Sequence, residues 1–185
     1  TTAPCDSAQA RSSAAAESME ITPDMVCVAK SLSSAYMPIS AIMINGKLAE
    51  TIAKNSDKVG VFGHGYTYSA HPVACAVANE TLRIYDDENI IEHTRARASL
   101  FTTRVQELSN HSLVGNVRSV GLLGAIELTK DKMDDVVSAN AVECGLLVRL
   151  IMGGSIIGIC PPLIITDDEI NLMFDRLHKT LDMSC

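Results

Sequence analysis

One lysine stands where an apolar run meets a cluster of hydroxyls. In Pro23-Asp-Met-Val-Cys-Val-Ala-Lys30-Ser-Leu-Ser-Ser-Ala-Tyr-Met-Pro38, Met25 to Ala29 is short, apolar and partly β-branched. That pattern fits a buried strand. Lys30 follows at its end, and Ser31, Ser33 and Ser34 supply hydroxyls nearby. An amine partly desolvated there would be held more in its neutral form, the nucleophile that condenses with aldehydes. The plain alternative is a solvated lysine closing a strand.

Three other groupings bear on chemistry. Tyr66 and Thr67 lie in a glycine-flanked stretch, Gly63-His-Gly-Tyr-Thr-Tyr-Ser-Ala-His-Pro72, just before a helix pattern. Backbone N–H groups and a hydroxyl at a helix start make a phosphate cradle, and an ordinary turn is the alternative. Arg149 ends the apolar run Leu146 to Leu150. Its guanidinium could grip a carboxylate in two places at once, or sit in a structural ion pair. His64, His71 and Cys75 fit no zinc spacing and lack a second Cys or His pair, so no metal is expected. Ser69 near His71 lacks an acid to orient the imidazole.

The elements that must position these residues follow from periodicity and punctuation. Ile39 to Ile44 reads as a second strand after the break at Tyr36-Met-Pro38. Asn45-Gly46 reads as a turn, Lys47 to Lys54 as a short helix, and Asn55 to Gly65 as a loop. Val73 to Tyr85 predicts a well-buried helix with Pro72 in its first turn. Asp86-Asp-Glu88 could cap the next helix. In that helix Ile91, Thr94, Ala98, Phe101, Val105 and Leu108 recur at three- and four-residue steps, with Arg95, Arg97, Arg104 and Glu107 on solvated faces. Val114 to Leu128 reads as a strand containing Gly121 and Gly124, and Val136 to Cys144 as a helix closed by Gly145. Leu146 to Leu150 and Ile156 to Cys160 read as strands about a Gly153-Gly154 turn. Thr166-Asp-Asp-Glu169 is a capping box ahead of a helix with Ile170, Phe174, Leu177 and Leu181 on one side.

Composition narrows the function classes. The chain has 185 residues, 47% hydrophobic and 20% charged, with a formal net charge of -7. That balance is globular and gives no electrostatic footprint for nucleic acid or an anionic membrane surface. No apolar run approaches a membrane span. The six cysteines form no C-x-x-C pair, and four lie in apolar segments. They are expected to be reduced and buried, in a cytoplasmic or mitochondrial setting and not a secreted one. Residues 1–19, rich in Ala, Ser and Thr, read as a disordered or unrelated leader.

The segment from Asp24 to Ala41, the segment from Gly63 to Ala78, and Gly145-Leu-Leu-Val-Arg149 followed by Cys160-Pro-Pro-Leu-Ile-Ile165 occur in this order. Together they resemble the signatures of the class III (omega) aminotransferases, over about residues 20 to 183. The resemblance implies an α/β fold: the end of a fold type I large domain over residues 20–87, then an α+β small C-terminal domain over 88–185. It implies pyridoxal 5'-phosphate (PLP) as cofactor, bound covalently and served catalytically by Lys30. Thr67 would meet the cofactor's phosphate from the neighbouring subunit of a homodimer, Tyr66 would line the pocket, and Arg149 would bind the substrate carboxylate and move aside for amines. The substrates implied are an omega-amino acid or amine, such as 4-aminobutyrate, and a keto acid such as pyruvate. The family's glycine-serine phosphate loop, ring-stacking aromatic and ring-nitrogen aspartate do not occur ahead of Lys30. The segment between Lys132 and Ala141 is shorter than in the family, and Ala70 stands where a glycine is usual. The chain therefore reads as a truncated C-terminal part, inactive alone, whose two strands would expose apolar surface. The alternative is a non-catalytic remnant that associates with a full-length relative.

Overall fold

The computed structural model describes residues 21–60, 62–151 and 153–185; the leader expected over residues 1–19 lies outside them. The chain divides into two compact units, one ending at Glu88 and the other beginning at Asn89.

In the first unit, β1 (Met25–Ala29) and β2 (Ser40–Ile44) pair antiparallel, from Met25 opposite Ile44 to Ala29 opposite Ser40. A 3-10 turn over Lys30–Ser33 starts the reversal, and Ser34 and Ala35 complete it with φ of 48° and 65°. Ser33 is the anchor: it is buried, and its Oγ donates to the Met37 carbonyl at 2.5 Å. The buried strand expected at Met25–Ala29 is not found. Met25 is 56% and Ile42 53% exposed, because a two-stranded ribbon leaves each strand without a further neighbour or a covering layer.

Helix α1 (Gly46–Val59) is longer than the eight residues expected and absorbs the start of the predicted loop. Asn45 is its cap, not a turn residue: its Oδ1 accepts from the Leu48 N–H at 2.9 Å. Asp24 fixes that cap in place, accepting from Asn45 Nδ2 at 2.6 Å while its carbonyl accepts from the Asn45 N–H. Helix α2 (Pro72–Asp87) begins with Pro72 at the position where its missing N–H costs nothing. It buries only the stripe Ala74, Ala78 and Thr81, and packs against the 3-10 turn of Lys30. The expectation of a well-buried helix fails because the stripe is narrow; Val73 and Ile84 face outward.

The second unit is built on an antiparallel sheet in the order β3-β4-β6-β5. Its strands are β3 (Val114–Val120), β4 (Leu123–Leu128), β5 (Arg149–Ile151) and β6 (Ile156–Ile159). The single strand expected from Val114 to Leu128 is a hairpin. Gly121, at φ 58°, turns the chain with Leu122 as the second loop residue, the geometry a two-residue hairpin favours. One sheet face carries Ile126, Ile157 and Ile159 into a core shared with α3 (Ile90–Glu107), α4 (Asp134–Glu143) and α5 (Asp167–Met183). There Phe101 of α3 meets Phe174 of α5 edge to face, with ring centroids 5.3 Å apart.

The helix ends follow local chemistry. Thr166 and Glu169 form the expected capping box on α5, and the hydrogen bonds of Thr166 hold the Glu169 carboxyl below the usual carboxylate range. At the end of α4, the Gly145 N–H bonds the Val142 carbonyl and the Leu146 N–H the Ala141 carbonyl. With Gly145 at φ 72°, this is a Schellman closure. The start of α3 differs from expectation. Asp87 belongs to α2, and Asn89 at φ 51° precedes α3 without a side-chain cap. Ile90, not Ile91, is the buried first residue.

Arg97 and Arg104 are not solvated. Their side chains are 23% and 20% exposed and bridge α3 to α5, Arg97 to Asp167 at 3.2 Å and Arg104 to Asp175 at 2.5 Å. Cys27, Cys160 and Cys185 are exposed and Cys75 and Cys144 half-buried, all as free thiols, so the buried setting expected for the cysteines does not hold among the described residues.

Candidate active site

Lys30 occupies a strained position. Its φ is 55°, the left-handed region that costs a non-glycine residue about 1–2 kcal/mol. Such strain persists where surrounding structure over-determines it, often at functional positions. Among the described residues six non-glycine residues have positive φ, and four of them, Lys30, Ser34, Ala35 and Ala70, lie in the Lys30 turn, its reversal or the turn before α2. The Lys30 side chain is exposed, so the described residues do not supply the desolvation expected at a buried strand end. Its amine has no hydrogen-bond or ion-pair partner among the described residues.

The turn before α2 is built by its own side chains. The Tyr66 N–H donates to Ser69 Oγ at 2.9 Å, and the Ser69 N–H returns to the Tyr66 carbonyl at 2.9 Å. His71 Nδ1 accepts from the Val73 N–H at 3.3 Å. Ser69 and His71 are therefore both engaged as turn acceptors, not as a nucleophile and its base. Thr67 is exposed, and its hydroxyl has no partner among the described residues. Ala70, where a glycine was expected, takes the glycine-like φ of 57°.

A cleft of about 780 Å³ lies between this turn and the segment after the Lys30 reversal. Met37, Pro38, Ser40, Tyr66, Ser69 and His71 line it. Met37 to Ser40 and Ser69 were not expected as site residues. The one local signal was the Tyr66-x-x-Ser69 spacing, which a hydroxyl needs to accept the N–H three residues back.

Neither Lys30 nor Thr67 lines this cleft; each offers separately a group that one end of a phosphorylated aldehyde would need. A free primary amine can take an aldehyde, and the free Thr67 hydroxyl, in the turn ahead of α2, can donate to a phosphate. Asp24, the carboxylate nearest Lys30 in the described sequence, is not free for a ring nitrogen, since its side chain is held by Asn45.

Arg149 belongs to the second unit. It opens β5 instead of ending a strand, because Leu146 to Val148 leave the helix closure without a ladder partner. It lines a mainly apolar cleft of about 950 Å³ with Gly158, Cys160, Ile164, Met173 and Arg176. Every other described arginine has a partner: Arg83, Arg95, Arg97, Arg104 and Arg118 meet carboxylates, and Arg176 donates to the Gly145 carbonyl. Arg149 has none among the described residues, so the structural ion pair weighed for it is not made there. Lys30, Tyr66 and Thr67 thus share one unit and Arg149 stands in the other.

Comparison with known proteins gives the chain's family. The sequence matches the family described as Aminotransferase class-III over residues 12–181. It is 42% identical over 173 residues to a probable gamma-aminobutyrate transaminase 3, mitochondrial, of Oryza sativa subsp. indica, covering 88% of this chain and 34% of that one. It is 38% identical over 176 residues to gamma aminobutyrate transaminase 3, chloroplastic, of Solanum lycopersicum, with 89% and 34% covered. Among solved structures, one described as a transaminase with L-ala superposes with a TM-score of 0.83 at 37% identity, covering 90% of this chain and 41% of that one. The omega transaminase of Pseudomonas jessenii in complex with PMP gives 0.83 at 35% identity, with 91% and 39% covered. The chain spans about a third of the length of these curated relatives.

Proposed function

The chain belongs to the class III aminotransferases, and on that premise we propose that it supplies the lysine and carboxylate-binding parts of a transaminase site. The reaction is transfer of an amino group from an omega-amino acid or amine to a keto acid such as pyruvate. The observation that carries this reading is Lys30: a free amine on left-handed backbone at the end of β1, on a turn packed against α2.

Lys30 Nζ holds the cofactor in this reading. As a free amine, the same nitrogen would serve as the base that accepts a proton from the substrate carbon and returns it as an acid. Bound PLP supplies an electrophilic carbon and a ring that withdraws electrons from it. The Thr67 hydroxyl and the start of α2 bind phosphate, Tyr66 forms the wall, and Arg149 receives a substrate carboxylate. Residues 20–87 act as the end of a fold type I large domain and residues 88–185 as the small C-terminal domain. Thr67 is exposed as a residue serving the partner of a homodimer must be. The relatives named mitochondrial support a mitochondrial location.

The carboxylate that would protonate the ring nitrogen is not among these residues, so the 185-residue chain by itself is expected to turn over no amine. That same deficit favours the second reading, a non-catalytic remnant that associates with a full-length relative. The experiment is alanine formation from 4-aminobutyrate and pyruvate by the protein at its native length. The transaminase reading expects turnover that disappears in Lys30→Ala. Turnover undiminished in that variant would sink it, and no turnover by the native-length protein would leave the second reading.

A further inference from the structure

Arg149 and Gly158 face each other directly across the β5–β6 ladder, and Gly158 in turn faces Ala125 on β4. Side chains alternate between the faces of a sheet, so this row shares one face. Ile126 and Ile157, one residue along, point to the opposite face and are fully buried in the core. The Arg149 row therefore lies on the face turned away from the core. Across that face from the guanidinium stem stands a hydrogen atom, and beyond it a methyl group.

Glycine is not needed at 158 for the reasons that apply elsewhere. At Gly124 an added Cβ would come within 3.1 Å of the Phe101 ring. At Gly154 the φ of 85° excludes most side chains. Gly158 has no positive φ, and an added Cβ would meet nothing nearer than the Arg149 carbonyl at 3.6 Å, an ordinary contact. The fold tolerates a side chain here, and the effect of its absence is open space beside Arg149.

We infer that Gly158 is a specificity-determining residue: its bare position lets the Arg149 guanidinium lie back over β6 when the substrate has no carboxylate, and come forward when it has one. The inference rests on Arg149 being the carboxylate-binding residue. A valine at 158 suits a strand and fills the space, holding Arg149 forward.

The test compares 4-aminobutyrate with butylamine, which has the same carbon count and no carboxylate, in the native-length protein loaded with PLP. In Gly158→Val, kcat/KM for butylamine should fall about tenfold or more through KM, while 4-aminobutyrate stays within about threefold. Gly158→Ala should shift the ratio the same way by less. Calorimetric binding of butyrate, which needs no turnover, should be as tight or tighter in Gly158→Val, and an unchanged Tm shows the fold intact. Arg149→Ala should lower 4-aminobutyrate alone. If Arg149→Ala behaves so and Gly158→Val alters both substrates equally or neither, the Gly158 inference is overturned. If Arg149→Ala leaves 4-aminobutyrate unchanged, the premise itself is wrong and the inference falls with it.

Discussion

Gly154→Ala tests the clamp that sets the Arg149 strand in register. The β5–β6 turn runs through Gly153 and Gly154, with φ of 69° and 85°. A Cβ at Gly154 would lie 2.8 Å from Asp134 Oδ1 and 2.9 Å from the Asp134 backbone nitrogen, at the start of α4. A Cβ at Gly153 would meet nothing within 4 Å. The left-handed backbone costs an alanine about 1–2 kcal/mol at either position. Crowding adds about 1–3 kcal/mol at Gly154 only, since backbone cannot swing aside as a flexible side chain could. Gly153→Ala should therefore cost about 1–2 kcal/mol and Gly154→Ala about 2–5 kcal/mol. Urea unfolding followed by far-UV circular dichroism measures both. Equal losses, within about 0.5 kcal/mol, would refute the contact with α4. The turn would then be free to shift, and a slip of one residue would send Arg149 to the other face.

Phe174→Ala removes a fully buried ring packed edge to face on Phe101 and should cost about 3–5 kcal/mol in the same unfolding experiment. Arg104→Ala breaks the bridge to Asp175 and the guanidinium contact over the Phe174 ring; a loss of about 1 kcal/mol is expected, largely retained in 0.5 M salt because the side chain is mostly covered. Thr166→Val removes the α5 cap and should cost about 1 kcal/mol at neutral pH. The Glu169 carboxyl is held below its unfolded value by Thr166, so its contribution is complete above about pH 4.3 and is lost as pH falls through the folded value. The gap between native and Thr166→Val protein should narrow in acid, and a gap that widens there contradicts the capping account.

What could be read in advance depended on how local the chemistry was. The Thr166–Glu169 box and the Gly145 closure need only residues three to five apart, and both stand as expected. The stripe of Phe101 and Val105, continued by Leu108 just past the helix end, is likewise a property of one local segment. The hairpin at Gly121 escaped because Leu122 carries no turn signal, so β3 and β4 merged into one apolar run. The fate of Arg97 and Arg104 turned on Asp167 and Asp175, some seventy residues away, which periodicity cannot reach. At the candidate site, motif resemblance singled out Lys30, Thr67 and Arg149 as candidates. The left-handed backbone at Lys30, the cleft behind Tyr66 and the bare row at Gly158 required the folded chain. Burial of β1 was overread, because an apolar run shows the wish to be covered and not the cover.

The most direct test of the account is where PLP attaches. The protein is incubated with PLP, reduced with borohydride and mapped by peptide mass spectrometry, beside a Lys30→Ala control. The account predicts a reduced adduct concentrated on Lys30 and lost in the control. An adduct spread evenly over Lys47, Lys54, Lys58 and the other exposed lysines, unchanged by Lys30→Ala, would contradict it.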